Sequence, residues 1–235
     1  MFGGRDRNDS VDGNGTDGST DSHDYRRARE RMVDRLAARE NLDDATLAAM
    51  QAVPRHEFVP PDRREHAYED RPLPIGSNQT ISAPHMVAMM VDQLDLGPSE
   101  SVLEIGTGCG YHAAVTAEVV GPENLYTVEY HDSLAESARA KLDQLGYGKV
   151  SIRVGDGHEG WPEFAPYDAA YLTCAASDFP TAVVEQVRPG GRLLGPLKSG
   201  GSLGGQRLIF ARRRADGSLD RDARGRVRFV PMQEE

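Results

Sequence analysis

Residues 101–111, SVLEIGTGCGY, constrain this chain more than any other stretch. They read as a strand, then a turn with three glycines, then the start of a helix. Glycine lets the backbone turn tightly and lets a ligand approach it, so this order of elements holds a nucleotide-like ligand. The spacing is G-x-G-x-G over Gly106, Thr107, Gly108, Cys109 and Gly110, not the G-x-G-x-x-G of dinucleotide binding. A dinucleotide also needs the helix N-terminus for its pyrophosphate. Glu104, two residues before Gly106, adds a carboxylate at the strand end that disfavours a pyrophosphate and favours a cation. S-adenosylmethionine carries a sulfonium and an ammonium, so it fits.

Strand and helix patterns alternate after this turn. Strands are expected at 125–129, 149–155, 167–173 and 192–197, with helices at 111–120, 133–145 and 181–187. Such alternation predicts a parallel, doubly wound α/β sheet covered on both faces. QRLIFARRR and RGRVRFVPM have no helix between them and predict an antiparallel pair closing the sheet. Two more acids fall at strand ends. Glu129 lies 23 residues after Gly106, where such sites place an acid for the ribose hydroxyls. Asp156 ends the next strand, where it can accept the adenine amino group while Gly157 gives the ring close approach.

Upstream, residues 73–90 read LPIGSNQTISAPHMVAMM. A polar loop over 77–82 leads into a helix with Ser82 as expected N-cap and Pro84 in its first turn. Met86, Val87, Met90, Val91 and Leu94 form its apolar stripe. Two earlier helices are expected at 25–40 and 44–52, the second capped by Asp43 or Asp44 and ended by Pro54. Residues 1–24 hold six Asp against Arg5 and Arg7 and almost nothing apolar, which predicts a disordered acidic tail. The remainder, 25–235, is expected to be one domain: a helical cap and substrate loop (25–97), a cofactor-binding core (98–200) and a C-terminal hairpin (201–235).

The net charge of −10 argues against a nucleic-acid surface as the default. The arginines near the C-terminus are expected to pair with Asp216, Asp220 and Asp222. Only three lysines occur among the 27 basic residues. That bias fits either a surface suited to high salt or a codon preference. Two cysteines without CxxC or HExxH argue against a metal or a disulfide scaffold. Neither a long apolar run nor a secretory h-region is present, so a cytoplasmic protein is expected, with no membrane partner and as a monomer.

LPIGSNQTISAPHMVAMM, VLEIGTGCGYHAA, VGDGHEGWPEFAPYDAAYLT, PGGRLLGPL and RFVPM together resemble the protein-L-isoaspartate O-methyltransferases. VLEIGTGCGY is shared by class I methyltransferases at large; Q-T-I-S-x-P is distinctive of this family. The resemblance covers roughly residues 30 to 232. It implies a Rossmann-like methyltransferase fold with an N-terminal helical cap. It also implies methyl transfer from S-adenosylmethionine to the α-carboxylate of L-isoaspartyl residues in damaged proteins and peptides, which begins their repair. By the same resemblance Ser82 is the active-site serine, with Thr80 and Ile81 beside it as substrate contacts. Glu104, Gly106, Thr107, Gly108, Glu129, Asp156 and Gly157 are then the cofactor set. His85, one turn from Ser82, is a further substrate-side residue or a packed or solvated histidine. Ser77, Asn78 and Ser177 depart from the family's usual residues.

Two rival readings remain at this point. One is a class I methyltransferase acting on tRNA or a small molecule, which a basic groove beside the cleft would favour. The other is a non-catalytic protein that has kept the cofactor fold.

Overall fold

The computed structural model describes residues 18–200 and 204–233. Most of the expected acidic tail lies outside the described residues. The first helix, α1 (Gly18–Arg39), opens seven residues earlier than the apolar spacing predicts. Its packed turns centre on Met32 and Leu36, both buried, and a helix anchored there extends through polar residues that need no apolar stripe of their own. Helix α2 (Asp44–Ala52) follows. Asp43 is its cap and accepts from the Thr46 amide at 2.6 Å. Two 3₁₀ turns, Arg55–Phe58 and Pro61–His66, replace the irregular connection expected there and bury Phe58.

The expected polar loop before the third helix is a hairpin. Strands β1 (Leu73–Gly76) and β2 (Gln79–Ile81) pair antiparallel, Leu73 opposite Ile81 and Pro74 opposite Thr80. Ser77 and Asn78 at its tip both have positive φ, 49° and 55°, which makes the two-residue turn that hairpin twist favours. Helix α3 (Pro84–Leu94) then starts at Pro84, but its N-cap is Ala83, with no side-chain cap bond. The expected capping role of Ser82 is therefore not observed. Ser82 stands one residue too early to reach the free amides, and its hydroxyl has no partner among the described residues.

The main sheet contains β3 (Val102–Ile105), β4 (Leu125–Glu129), β5 (Ser151–Val154), β6 (Tyr167–Leu172), β7 (Val187–Lys198), β8 (Gln206–Arg213) and β9 (Leu219–Val227). Their order is β5-β4-β3-β6-β7-β8-β9. The first five are parallel, and β8 and β9 add antiparallel, as the missing helix between them predicts. Helices α4 (Tyr111–Val120), α5 (Asp132–Gln144) and α6 (Thr181–Gln186) connect the parallel strands. Side-chain alternation divides the core in two. Val102, Tyr171 and Leu194 face the cap helices and α4, while Leu103, Leu172 and Leu193 face the other way. No described helix is long and apolar enough to cross a membrane.

The chain runs outward from β3 to β5 and then returns to place β6 on the other side of β3. That reversal opens a crevice beyond the carboxyl ends of β3 and β6, where sheets of this kind bind ligands. Three of the C-terminal arginines are in ion pairs. Arg214 pairs with Asp220, Arg224 with Asp222 and Arg221 with Asp178. Asp216 does not join them; it accepts from the Ser218 amide and hydroxyl in the turn.

Candidate active site

A cleft with about 760 Å³ of empty space, the open solvent at its mouth included, lies in that crevice. Gly106, Thr107, Gly108 and Glu129 form one side. The hairpin residues Thr80 and Ile81, with Ser82, form another. Residues 230–233 close a third side, since the chain returns from β9 and pairs there with Ala175. RFVPM appears among the family-like pieces of the sequence, but no local pattern shows that this tail reaches the site.

Backbone geometry explains the glycine at 106. Its φ is +101°, and a Cβ there would meet the Thr173 hydroxyl at 2.3 Å. Thr173 donates to the Gly106 carbonyl and so fastens the turn to the end of β6. Gly157 has a different reason. A Cβ would lie 2.4 Å from Ile105, so the glycine lets the segment after β5 sit against β3 and line the cavity.

The acids divide into three situations. Glu129 lines the cavity with 6% exposure and is fixed at both oxygens. Oε2 accepts from the Gly108 amide at 2.8 Å, and Oε1 accepts from the His131 amide at 3.0 Å. Asp156 is at the rim beside Gly157 and is not among the cavity-lining residues. It caps a 3₁₀ turn, accepting from the His158 amide at 2.8 Å. Burial raises its pKa, but the hydrogen bonds and charge of His158 outweigh that and hold it below the usual carboxylate range.

Glu104 departs from expectation. Register sets it level with Thr127, two residues deeper than Glu129 on the same face of the sheet, so it does not line the cavity, and it is fully buried. Oε2 accepts from Thr127 Oγ1 at 2.6 Å and Oε1 from the Tyr171 hydroxyl at 3.0 Å. Burial pushes its carboxyl up to about 8, so it is largely protonated at neutral pH and does not offer a cation a direct charge. Its route to the cavity runs through Thr127, whose Oγ1 is 2.7 Å from that of Thr107.

His85 also departs. It lies outside the main cavity, in a neighbouring crevice between α1 and the start of α3. Asp70 holds it there, accepting from its amide at 3.0 Å with its ring Nδ1 at 2.8 Å. Both cysteines line the cavity. Burial pushes the Cys109 thiol up to about 11 and the Cys174 thiol up to about 12, against the lowering that a helix N-terminus could give Cys109. His112, in the first turn of α4, is a cavity residue that no local sequence pattern singles out.

These features fit S-adenosylmethionine. The crevice has a glycine-rich turn along it, an acid held for hydroxyl donors, and Thr80 and Ser82 in its lining. Fold and cavity together define a class I S-adenosylmethionine-dependent methyltransferase. The profile of the protein-L-isoaspartate(D-aspartate) O-methyltransferase family matches residues 27–235, and the chain belongs to that family. It is 49% identical over 213 residues to protein-L-isoaspartate O-methyltransferase 2 of Archaeoglobus fulgidus, covering 90% of this chain and 95% of that one. A solved protein-L-isoaspartate O-methyltransferase superposes with a TM-score of 0.80 at 29% identity, over 88% of this chain and 66% of that one. A Plasmodium falciparum structure assigned to the same enzymes, solved with S-adenosyl-L-homocysteine, shares the fold at a TM-score of 0.78 and 22% identity, over 88% and 99% of the two chains.

Proposed function

We propose that this chain methylates the free α-carboxylate of L-isoaspartyl residues in damaged proteins; its relatives are named protein-L-isoaspartate O-methyltransferases. The observation that carries the residue roles is the shared cavity. The hydroxyls of Ser82 and Thr80 stand on one wall, and the glycine turn and Glu129 stand on another.

S-adenosylmethionine, when bound, supplies an electrophilic methyl group on a sulfonium. The chain supplies placement. Glu129, already aimed by two amides, accepts from the ribose hydroxyls. Asp156 and Gly157 take the adenine edge. Gly106, Thr107 and Gly108 let the ligand lie against the backbone. On the other side, Ser82 and Thr80 donate to the acceptor carboxylate, and Ile81 gives it an apolar wall. That carboxylate has a reference pKa of about 3.5, so it arrives ionised and needs no general base. In-line placement of such a pair is worth roughly 7–11 kcal/mol. Transfer between the two would remove both charges, which a cleft with little water would favour. The two cavity thiols stay protonated and do not compete as nucleophiles.

Residues 25–235 act as one methyltransferase unit in this reading, with the cap and hairpin over 25–97 shaping the acceptor side. We place it in the cytoplasm as a monomer, without nucleic acid. An acceptor such as tRNA or a small molecule is the rival, and the paired hairpin arginines lend it no support.

The test uses labelled S-adenosylmethionine and two synthetic peptides that differ only in L-Asp or L-isoAsp at one position, at low and at molar salt. Base-labile label on the isoAsp peptide alone supports the proposal. Label on neither peptide, with cofactor still bound, overturns the acceptor assignment.

A further inference from the structure

His112 is the second residue of α4 and is 7% exposed. It lines the cavity, and neither ring nitrogen has a hydrogen-bond partner among the described residues. Its neighbours are satisfied. The Tyr171 hydroxyl donates to Glu104 at 3.0 Å and lies 2.9 Å from Thr116 Oγ1. The His112 ring rests on the Tyr171 ring at 4.7 Å between centroids, so its position is fixed by packing. A buried polar group without a partner is costly and calls for a specific reason. His112 is at the wall of a cavity from which a ligand can supply the missing bond.

The position along the sheet separates two ligands. Tyr171 belongs to β6, and Glu129 belongs to β4, on the other side of β3. Packed on Tyr171, His112 therefore lies toward the β6 side of β3, away from β4 and its acid, and lines the cavity together with Ser82. We infer that a ring N–H of His112 donates to the isoaspartyl α-carboxylate, with Ser82 as its second donor. This rests on the acceptor proposed above. Burial pushes the ring down to about 3, so it meets the carboxylate as a neutral imidazole with one donor and one acceptor nitrogen. A neutral donor orients the anion without neutralising it, which leaves its nucleophilicity intact.

The experiment compares wild type with His112→Leu and His112→Gln in the full chain. The first removes the donor and keeps side-chain bulk; the second restores an N–H donor. Peptide KM and kcat are read with the isoAsp peptide, and S-adenosyl-L-homocysteine affinity is read by calorimetry. We expect His112→Leu to raise peptide KM about tenfold or more. S-adenosyl-L-homocysteine Kd should stay within about twofold, and His112→Gln should recover most of the KM. An unchanged KM in His112→Leu overturns the inference, as does a parallel loss of S-adenosyl-L-homocysteine affinity, which would assign the ring to the cofactor. A His112→Gln variant as impaired as His112→Leu overturns it too. Wild-type transfer to the isoAsp peptide separates the two levels. Its absence removes the acceptor reading and this inference together, whereas transfer with an unaffected His112→Leu variant removes the inference alone.

Discussion

The Gly108 amide donates to the Glu129 carboxylate at 2.8 Å, which ties the turn after β3 to the end of β4. One acid thus shapes the turn after β3 and also lines the cavity. Glu129→Ala should weaken S-adenosyl-L-homocysteine binding by roughly 10–100-fold, the loss expected for hydrogen bonds to a charged group. Glu129→Gln, which keeps an acceptor oxygen, should fall between. Calorimetric affinities within about twofold of wild type for Glu129→Ala would remove the ribose assignment.

Ser82 makes no hydrogen bond among the described residues and caps no helix, so its hydroxyl is available to the acceptor. Ser82→Ala should lower kcat/KM for the isoAsp peptide by about tenfold or more. Cofactor affinity and thermal stability should hardly change. An equal loss of peptide turnover and cofactor affinity would argue against a substrate-side role.

Gly106→Ala forces a Cβ to 2.3 Å from the Thr173 hydroxyl at a φ of +101°. Both strains act in the folded state, and together they should cost at least about 2 kcal/mol. For a chain of this size that lowers Tm by roughly 4–8 °C. Adding Thr173→Ala should restore only part of the loss, because it removes the contact and leaves the dihedral. A wild-type Tm in Gly106→Ala would contradict the geometry.

Glu104 and His112 give opposite pH dependences. The Glu104 carboxyl keeps its proton to about pH 8 in the fold but only to 4.5 in the unfolded chain. The folded state binds the extra proton between those values, so this contribution is complete below 4.5 and is lost as pH rises through 8. His112 titrates at 6.5 unfolded and at about 3 folded, so its contribution is lost as pH falls from 6.5 toward 3. Denaturant unfolding against pH should show Glu104→Gln flattening the alkaline side and His112→Gln flattening the acid side. Unchanged slopes in both variants would contradict the burial of these groups.

The sequence carried the fold well because its signals are local. Strand patterns, helix spacing and the glycine turn each predict one element, and the missing helix between β8 and β9 predicts their antiparallel pairing. Glu129 was legible for a similar reason, since the length of one crossover fixes which strand end it occupies. Side-chain placement was not. Glu104 and Glu129 both sit near strand ends and on one face of the sheet, yet Glu104 is in register with Thr127, two residues deeper, and is buried while Glu129 lines the cavity. His85 lies one helical turn from Ser82 and still faces another crevice, because Asp70, fifteen residues earlier, captures it. His112 and residues 230–233 enter the site only through tertiary packing, which no local pattern encodes.

The central claim is that donor and acceptor meet in one cavity, between the glycine turn and the hairpin over 73–81. A crystal structure of the protein with S-adenosyl-L-homocysteine and an isoAsp peptide tests it most directly. Ribose hydroxyls are expected on Glu129, and the isoaspartyl α-carboxylate within hydrogen-bond distance of Ser82 Oγ, facing the sulfur. A peptide bound elsewhere, or a carboxylate turned away from both Ser82 and the sulfur, would contradict it.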